Sequence, residues 1–181
     1  KFFIRIFILV NVLFFISCGG AGDNSLSPTS TSSILQPSSS AINSLPVIFI
    51  DTEANAGIQR EDYVEGTVQV FGQGLTDSTS EVTMKIRGRG HSTWNVHPKK
   101  PYQMKLSDSS VFLDMPKKKR WLFMAEYSDK TMLRNRLAME LGYLSNLDWT
   151  PNSHYAEVHI NNVPMGTYRI SEKVEEGSNR V

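Results

Sequence analysis

From Pro46 onward, apolar residues recur at every second position in a series of short runs. Pro46–Ile50 is a compact apolar stretch that suits a buried strand. Val64, Val68 and Val70 fall in phase within Val64–Phe71. Val82, Met84 and Ile86 alternate with Thr83, Lys85 and Arg87, and Tyr102, Met104 and Leu106 alternate with Gln103 and Lys105; Trp121–Met124 is a further apolar run. Period-two patterning predicts half-buried strands. One segment departs from it. Asp129–Leu144 places Leu133, Leu137, Leu141 and Leu144 at helical spacing, with Ser128 or Asp129 as N-cap and Gly142 near the end, and predicts a helix whose leucine stripe is buried. Tyr155–Ile160 and Thr167–Lys173 read as two more strands joined through Asn161–Gly166. The order predicts an α+β fold, an antiparallel sheet with one main helix on one face. Such a sheet is open and leaves an unpaired strand edge.

The chain before Pro46 reads differently. Lys1 and Arg5 precede an apolar run from Ile6 to Ile16, broken only by Asn11. The run is shorter than the ~20 apolar residues of a membrane span and has the length of a signal-peptide core. Cys18 follows at once, between Ser17 and Gly19-Gly20. Residues 1–18 therefore resemble a bacterial lipoprotein signal ending at a lipidated Cys18; the alternative is an ordinary secretory signal. Both predict export, and lipidation predicts an anchor in the cell envelope. Nine of the 23 residues of Asp23–Leu45 are serine and none is aromatic. Residues 19–45 are expected to be a disordered tether, because they cannot bury enough apolar surface to offset ordering.

Charge and cysteine content narrow the classes. Lys plus Arg number 19 and Asp plus Glu 18, a balance that gives no footprint for nucleic acid. A single cysteine excludes an intrachain disulfide framework and thiolate metal cages. His91, His97, His154 and His159 lack metal-ligand spacing, no Gly-Xaa-Ser-Xaa-Gly motif occurs, and Lys117–Arg120 reads as a solvated loop.

The densest chemistry lies in Ile86–Trp94, IRGRGHSTW. Gly88 and Gly90 permit close backbone approach and positive φ. Successive N–H groups in such a turn form an anion-binding nest. Arg87 and Arg89 add charge, and Ser92 and Thr93 add hydroxyl donors. The competing reading is a tight strand-to-strand turn with solvated arginines. Lys105 lies on the next strand, on the side opposite Met104 and Leu106, where a phosphate-binding lysine follows a glycine loop in protein kinases; the competing reading is a solvent-facing strand lysine. Glu140 lies within or beside the leucine stripe, where a carboxylate needs a partner. Lys105 is the expected partner; otherwise Glu140 flanks the stripe and reaches water.

IRGRGHSTWNVHPKKPYQMKL (86–106), MPKKKRWLFMAEYSDKTMLRNRLAMELG (115–142) and YAEVHINNVPMGTYRISEKVEEGSNRV (155–181) resemble, in that order, the spore-coat-protein-H (CotH) kinase-like family. His91-Ser92 departs from the Asn-Ser common there. The resemblance spans 46–181 and implies the small lobe of an atypical protein kinase that transfers phosphate from ATP to protein serine with a divalent metal, Mg or Mn. It implies that Arg87, Gly88, Arg89, Gly90, Ser92, Thr93 and Lys105 bind nucleotide, and that Lys105 and Glu140 form the catalytic ion pair. Metal ligands are expected from aspartates that no residue up to Val181 supplies. Residues 46–181 are thus expected to be the truncated N-terminal part of such a domain, inactive alone, acting on an unidentified protein substrate. The alternative function is a non-catalytic surface lipoprotein serving as a binding or adhesion module, in keeping with the scarcity of ATP outside the cell.

Overall fold

The computed structural model describes residues 45–72, 75 and 80–176, all within the unit Ser39–Val181. The leader, Cys18 and all but the last residue of the 19–45 tether lie outside the described residues.

Each period-two run forms a strand: β1 (Val47–Thr52), β2 (Val64–Phe71), β3 (Val82–Gly88), β4 (Tyr102–Phe112), β5 (Met115–Met124), β6 (Ser153–Ile160) and β7 (Val163–Glu172). Two of the connections are two-residue turns in which both residues have positive φ: Leu113-Asp114 (53° and 56°) and Asn161-Asn162 (50° and 63°). That backbone matches the twist of the strands it joins, and asparagine tolerates it well. Neighbouring strands are antiparallel, with Ile50 opposite Val68, Ile86 opposite Met104 and Phe123 opposite Ile170. The exception is β1, which runs parallel to β6 with Ile48 beside Val158. The order β1-β2-β3-β4-β5-β7-β6 closes on itself as a barrel.

Closure corrects the expected fold class. The molecule is not an α+β open sheet covered by a main helix, nor the small lobe of a kinase; it is a closed seven-stranded barrel. Among the described residues α-helix is confined to two short elements, α1 (Ser92–Val96) and α2 (Arg134–Leu144), beside a single 3-10 turn at Glu53–Asn55. The reason lies in the strands. Every one sends apolar side chains inward: Ile48 and Ile50, Val68 and Val70, Met84 and Ile86, Met104 and Leu106, Trp121 and Phe123, Ala156 and Val158, Tyr168 and Ile170. A sheet whose inner positions are all apolar fills its own lumen when it curls. Closing also pairs both edges of every strand, so the expected free edge does not exist. The Lys117–Arg120 run is part of β5 rather than a loop.

The orientation of α2 is a second correction. Leu133, Leu137, Leu141 and Leu144 are 58, 61, 59 and 84% exposed, so the expected buried stripe faces outward. Polar and sulfur contacts hold the opposite side to the barrel. The Arg136 guanidinium donates to the Ser153 carbonyl at 3.0 Å, the Tyr143 hydroxyl to the Pro151 carbonyl at 2.9 Å, and the Ser153 hydroxyl to the Met139 sulfur at 3.4 Å. The wall beneath is itself polar, with Ser153, Arg169 and Ser171 buried there. Asp129 caps the turn before α2. Its carboxylate accepts the Arg134 N–H at 2.9 Å and the Thr131 hydroxyl at 2.8 Å. These hydrogen bonds hold its pKa below the ordinary carboxylate value.

Two outcomes follow. Leu137→Ala and Leu141→Ala should each stay within about 0.5 kcal/mol of the parent in urea denaturation, whereas Leu106→Ala, inside the barrel, should cost about 2–5 kcal/mol. Because the folded pKa of Asp129 is depressed, its stabilising effect is complete above the ordinary carboxylate pKa and is lost as pH falls through the folded value. Asp129→Asn should accordingly flatten the acid limb of the stability–pH curve; an unchanged limb would mean that the cap bonds are not formed in solution.

Candidate functional site

The connection from β3 to β4 builds the site. β3 ends at Gly88 because the Trp94 ring packs against it: a Cβ there would come within 2.3 Å of the ring. The Arg89 N–H donates to the Pro101 carbonyl at 3.1 Å and ties the two ends of the connection together. Gly90 turns the chain at φ +82°, where a Cβ would also press on the Thr93 hydroxyl. One helical turn, α1, then carries Trp94 back over the strand. Lys100 fixes that turn by donating to the Trp94 carbonyl at 2.6 Å.

A cleft of about 320 Å³ opens between this connection and the end of β5, lined by Arg89, Gly90, Thr93, Lys99, Met124 and Glu126 among others. Two cations share it. Burial lowers the pKa of Arg89, whose guanidinium meets the Met124 sulfur at 2.7 Å and no carboxylate among the described residues. Burial also lowers the pKa of Lys99, opposed by the nearby charge of Glu126. The Lys99 ammonium donates to the Thr167 carbonyl and lies 4.4 Å from the centre of the Tyr168 ring. Burial pushes the Tyr168 phenol well up, and its hydroxyl donates to the Lys100 carbonyl at 2.9 Å. Desolvated cations beside a positive-φ turn favour an anionic ligand.

Beneath the cleft lies a buried ion pair. The Arg169 guanidinium meets Glu126 Oε1 at 2.5 Å, and both side chains are only 2% exposed. Asn135 of α2 donates to the same oxygen at 3.0 Å. Arg169 also reaches the Met139 sulfur at 3.2 Å.

The residues singled out in the sequence are divided by the fold. Arg89, Gly90 and Thr93 line the cleft. Gly88 is the seat of Trp94. Arg87 turns away, donating to the Glu61 carbonyl at 3.2 Å with its guanidinium 4.8 Å from the Tyr63 ring centre. Ser92 is exposed at the start of α1. Lys105 lies on the outer wall of the barrel, between Lys85 of β3 and Arg120 of β5, and beside Lys119. Glu140 pairs with Arg136 one helical turn away. Among the described residues no ion pair joins Lys105 to Glu140, and neither lines the cleft. Lys99, Glu126 and Arg169 were missed. Lys99 sits in an irregular segment without periodicity, Glu126 follows the end of a strand, and Arg169 occupies an outward strand position that ordinarily faces water.

A family model described as CotH kinase protein matches residues 86–181, which include the whole β3–β4 connection, the cleft and the buried pair. The chain belongs to the CotH family. No curated protein matches it. Within this CotH chain the matched segment takes in β4 to β7 and both helices, so the family pattern covers the elements that form the cleft.

Gly88→Ala should displace Trp94 and cost about 1–3 kcal/mol, the usual penalty of overpacking, read by thermal denaturation and by the fluorescence of the tryptophans. Arg169→Met leaves Glu126 buried without its cation and should cost about 3–5 kcal/mol.

Proposed function

We propose that this CotH-family chain binds the phosphates of ATP in the cleft between the β3–β4 connection and β5, in the service of phosphate transfer to protein serine. One observation carries the reading: Arg89 and Lys99, both partly desolvated, share a cleft with the positive-φ turn at Gly90. An anion between two such cations repays the cost of their burial. Arginine, lysine and turn N–H groups together are a phosphate-binding set. In this reading Arg89 and Lys99 orient the phosphates, the Thr93 hydroxyl donates to them, and Pro101, Met124 and Ala125 keep water from that side. ATP supplies the transferable phosphoryl group. The residues do not fit a bound metal equally well: among the described residues no three His, Cys, Asp or Glu side chains gather.

The same proposal places the protein outside the cytoplasm, exported and anchored to the cell envelope through a lipid on Cys18. Its support is the apolar run that ends at the only cysteine. Cys18→Ala should lose incorporated radiolabelled fatty acid and leave the membrane fraction; equal labelling of variant and parent would exclude the anchor. The exposed leucines of α2 favour a second reading, a surface module that binds another protein without catalysis.

Calorimetry with a non-hydrolysable ATP analogue separates the two. Arg89→Ala and Lys99→Ala should each weaken binding roughly tenfold or more, the loss expected of a hydrogen bond to a charged group. Lys105→Ala and Glu140→Ala, which lie off the cleft, should bind as the parent does. A parent chain that binds no analogue would leave the non-catalytic module standing. Loss of binding in Lys105→Ala but not in Lys99→Ala would move the site to the outer wall.

A further inference from the structure

Away from the cleft, positive charge gathers on the outer wall of β3, β4 and β5. Lys85 stands opposite Lys105, and Lys105 opposite Arg120, in register across the three strands. Alternation sends all three outward, because their neighbours Met84, Met104 and Trp121 fill the lumen. The Lys117–Arg120 run carries the charge along β5, and Lys119 joins Lys85 and Lys105 around a hollow of about 300 Å³. Like charges placed directly opposite one another destabilise a sheet, so folding alone gives no reason for this row.

Few carboxylates answer these cations. Glu65 pairs with Lys85 at 2.5 Å and Glu175 with Arg120 at 2.7 Å. Among the described residues no carboxylate forms an ion pair with Lys105, Lys117, Lys118 or Lys119. The spread of the patch selects the partner. Adjacent strands lie ~4.8 Å apart and residues along a strand ~3.4 Å apart, so the cations extend over ~10 Å in both directions. An extended acidic peptide recognised by strand addition would need a free strand edge, and the closed barrel offers none. A membrane surface presents its anions in two dimensions, as the wall presents its cations. Five of the six cations are lysines, whose hydrated ammonium groups act on headgroups as point charges.

We propose that the outer wall of β3–β5 docks on the anionic headgroups of a membrane, with Lys85, Lys105, Lys119 and Arg120 at the centre of the contact. Each cation brought to such a surface strengthens binding about fivefold. The charge in register is then useful rather than merely tolerated. This docking stands independently of the phosphate reading of the cleft and of a lipid on Cys18.

The full chain carries the apolar run Ile6–Ile16, which has its own affinity for any bilayer, so the experiment reads individual lysines rather than sedimentation. Lysines are acylated with a water-soluble amine reagent, with and without vesicles, and followed by peptide mass spectrometry. Vesicles of phosphatidylglycerol and phosphatidylcholine in equal parts should slow acylation of Lys85, Lys105 and Lys117 at least about fivefold and leave Lys130 unprotected. Vesicles of phosphatidylcholine alone should protect none of them. In ~1 M salt, where the screening length is ~3 Å, the protection should disappear. In Lys105→Gln/Lys119→Gln the protection of Lys85 and Lys117 should fall about twentyfold, or vanish where the parent's is smaller. Lys130→Gln/Arg134→Gln removes the same charge around the start of α2 and should keep the parent's protection. The parent profile decides without any variant: no protection on anionic vesicles, or equal protection on neutral ones, overturns the docking. Parent-like protection in the wall variant, or equal loss in the α2 variant, overturns it too. If polyglutamate shields the wall of a chain that anionic vesicles leave labelled, the partner is an acidic protein and the membrane assignment falls.

Discussion

The arrangement of this protein outside its barrel turns on the Arg169–Glu126 ion pair. A guanidinium and a carboxylate, each 2% exposed, cannot be accommodated singly. Arg169 projects from the outer wall at β7, where Met124 of β5 and Tyr155 of β6 flank it in register. Glu126 comes from the chain leaving β5, and Asn135 and Met139 of α2 close over both. One polar contact thus fixes the exit of β5, the seat of α2 and the floor of the cleft. Desolvating that pair requires a cover, and the cover has to offer hydrogen-bond partners as well as bulk. Asn135 and Met139 supply those partners from α2, which leucines could not.

The same constraint explains how the sequence misleads. Amphipathic periodicity reports that a helix has an apolar face; it does not report which surface that face meets. Leu133, Leu137, Leu141 and Leu144 do lie on one face, as their spacing says, but the wall available to α2 is polar. Ser153, Arg169 and Ser171 are outward positions on strands whose inward positions fill the lumen, so α2 meets the side of the sheet that alternation leaves polar. Strand existence, by contrast, was legible wherever period two held, because it is a local property that closure does not alter; the charged first half of β5, which lacks that period, was not. Register and closure were not legible: the parallel contact of β1 with β6 joins residues more than a hundred positions apart and leaves no local signature.

The site was half legible for the same reason. Glycine and arginine in IRGRGHSTW mark a constrained, cationic turn by composition alone, and Arg89, Gly90 and Thr93 do line the cleft. Arg87 and Arg89 are separated by a single residue, yet one stacks on Tyr63 and the other enters the cleft, because the chain leaves the sheet between them at Gly88. Lysine selection failed where it relied on a strand. Lys105 has regular alternation on both sides, and that regularity is what directs it to the outer wall with Lys85 and Arg120. Lys99 sits in the irregular return from α1, where no period applies, and irregular backbone is what lets a lysine reach across the barrel rim to Tyr168.

Barrel closure and cleft chemistry are therefore linked rather than coincident. A closed barrel has no groove along a sheet edge and no gap between layers in which to seat a ligand; its lumen here is filled by side chains as large as Trp121, Phe123 and Tyr168. A binding site must then be assembled at the rim from connections that leave the strands. The longest connection that returns to an adjacent strand over the cleft, from Gly88 to Tyr102, brings the cations, and the chain leaving β5 brings the carboxylate. Both segments leave rigid strands, and both turn through positive φ, at Gly90 and at Glu126. Rim loops held this way keep charged groups desolvated without burying them in the lumen. That is the condition under which, on the proposed reading, Arg89 and Lys99 would hold an anion rather than lose the interaction to water.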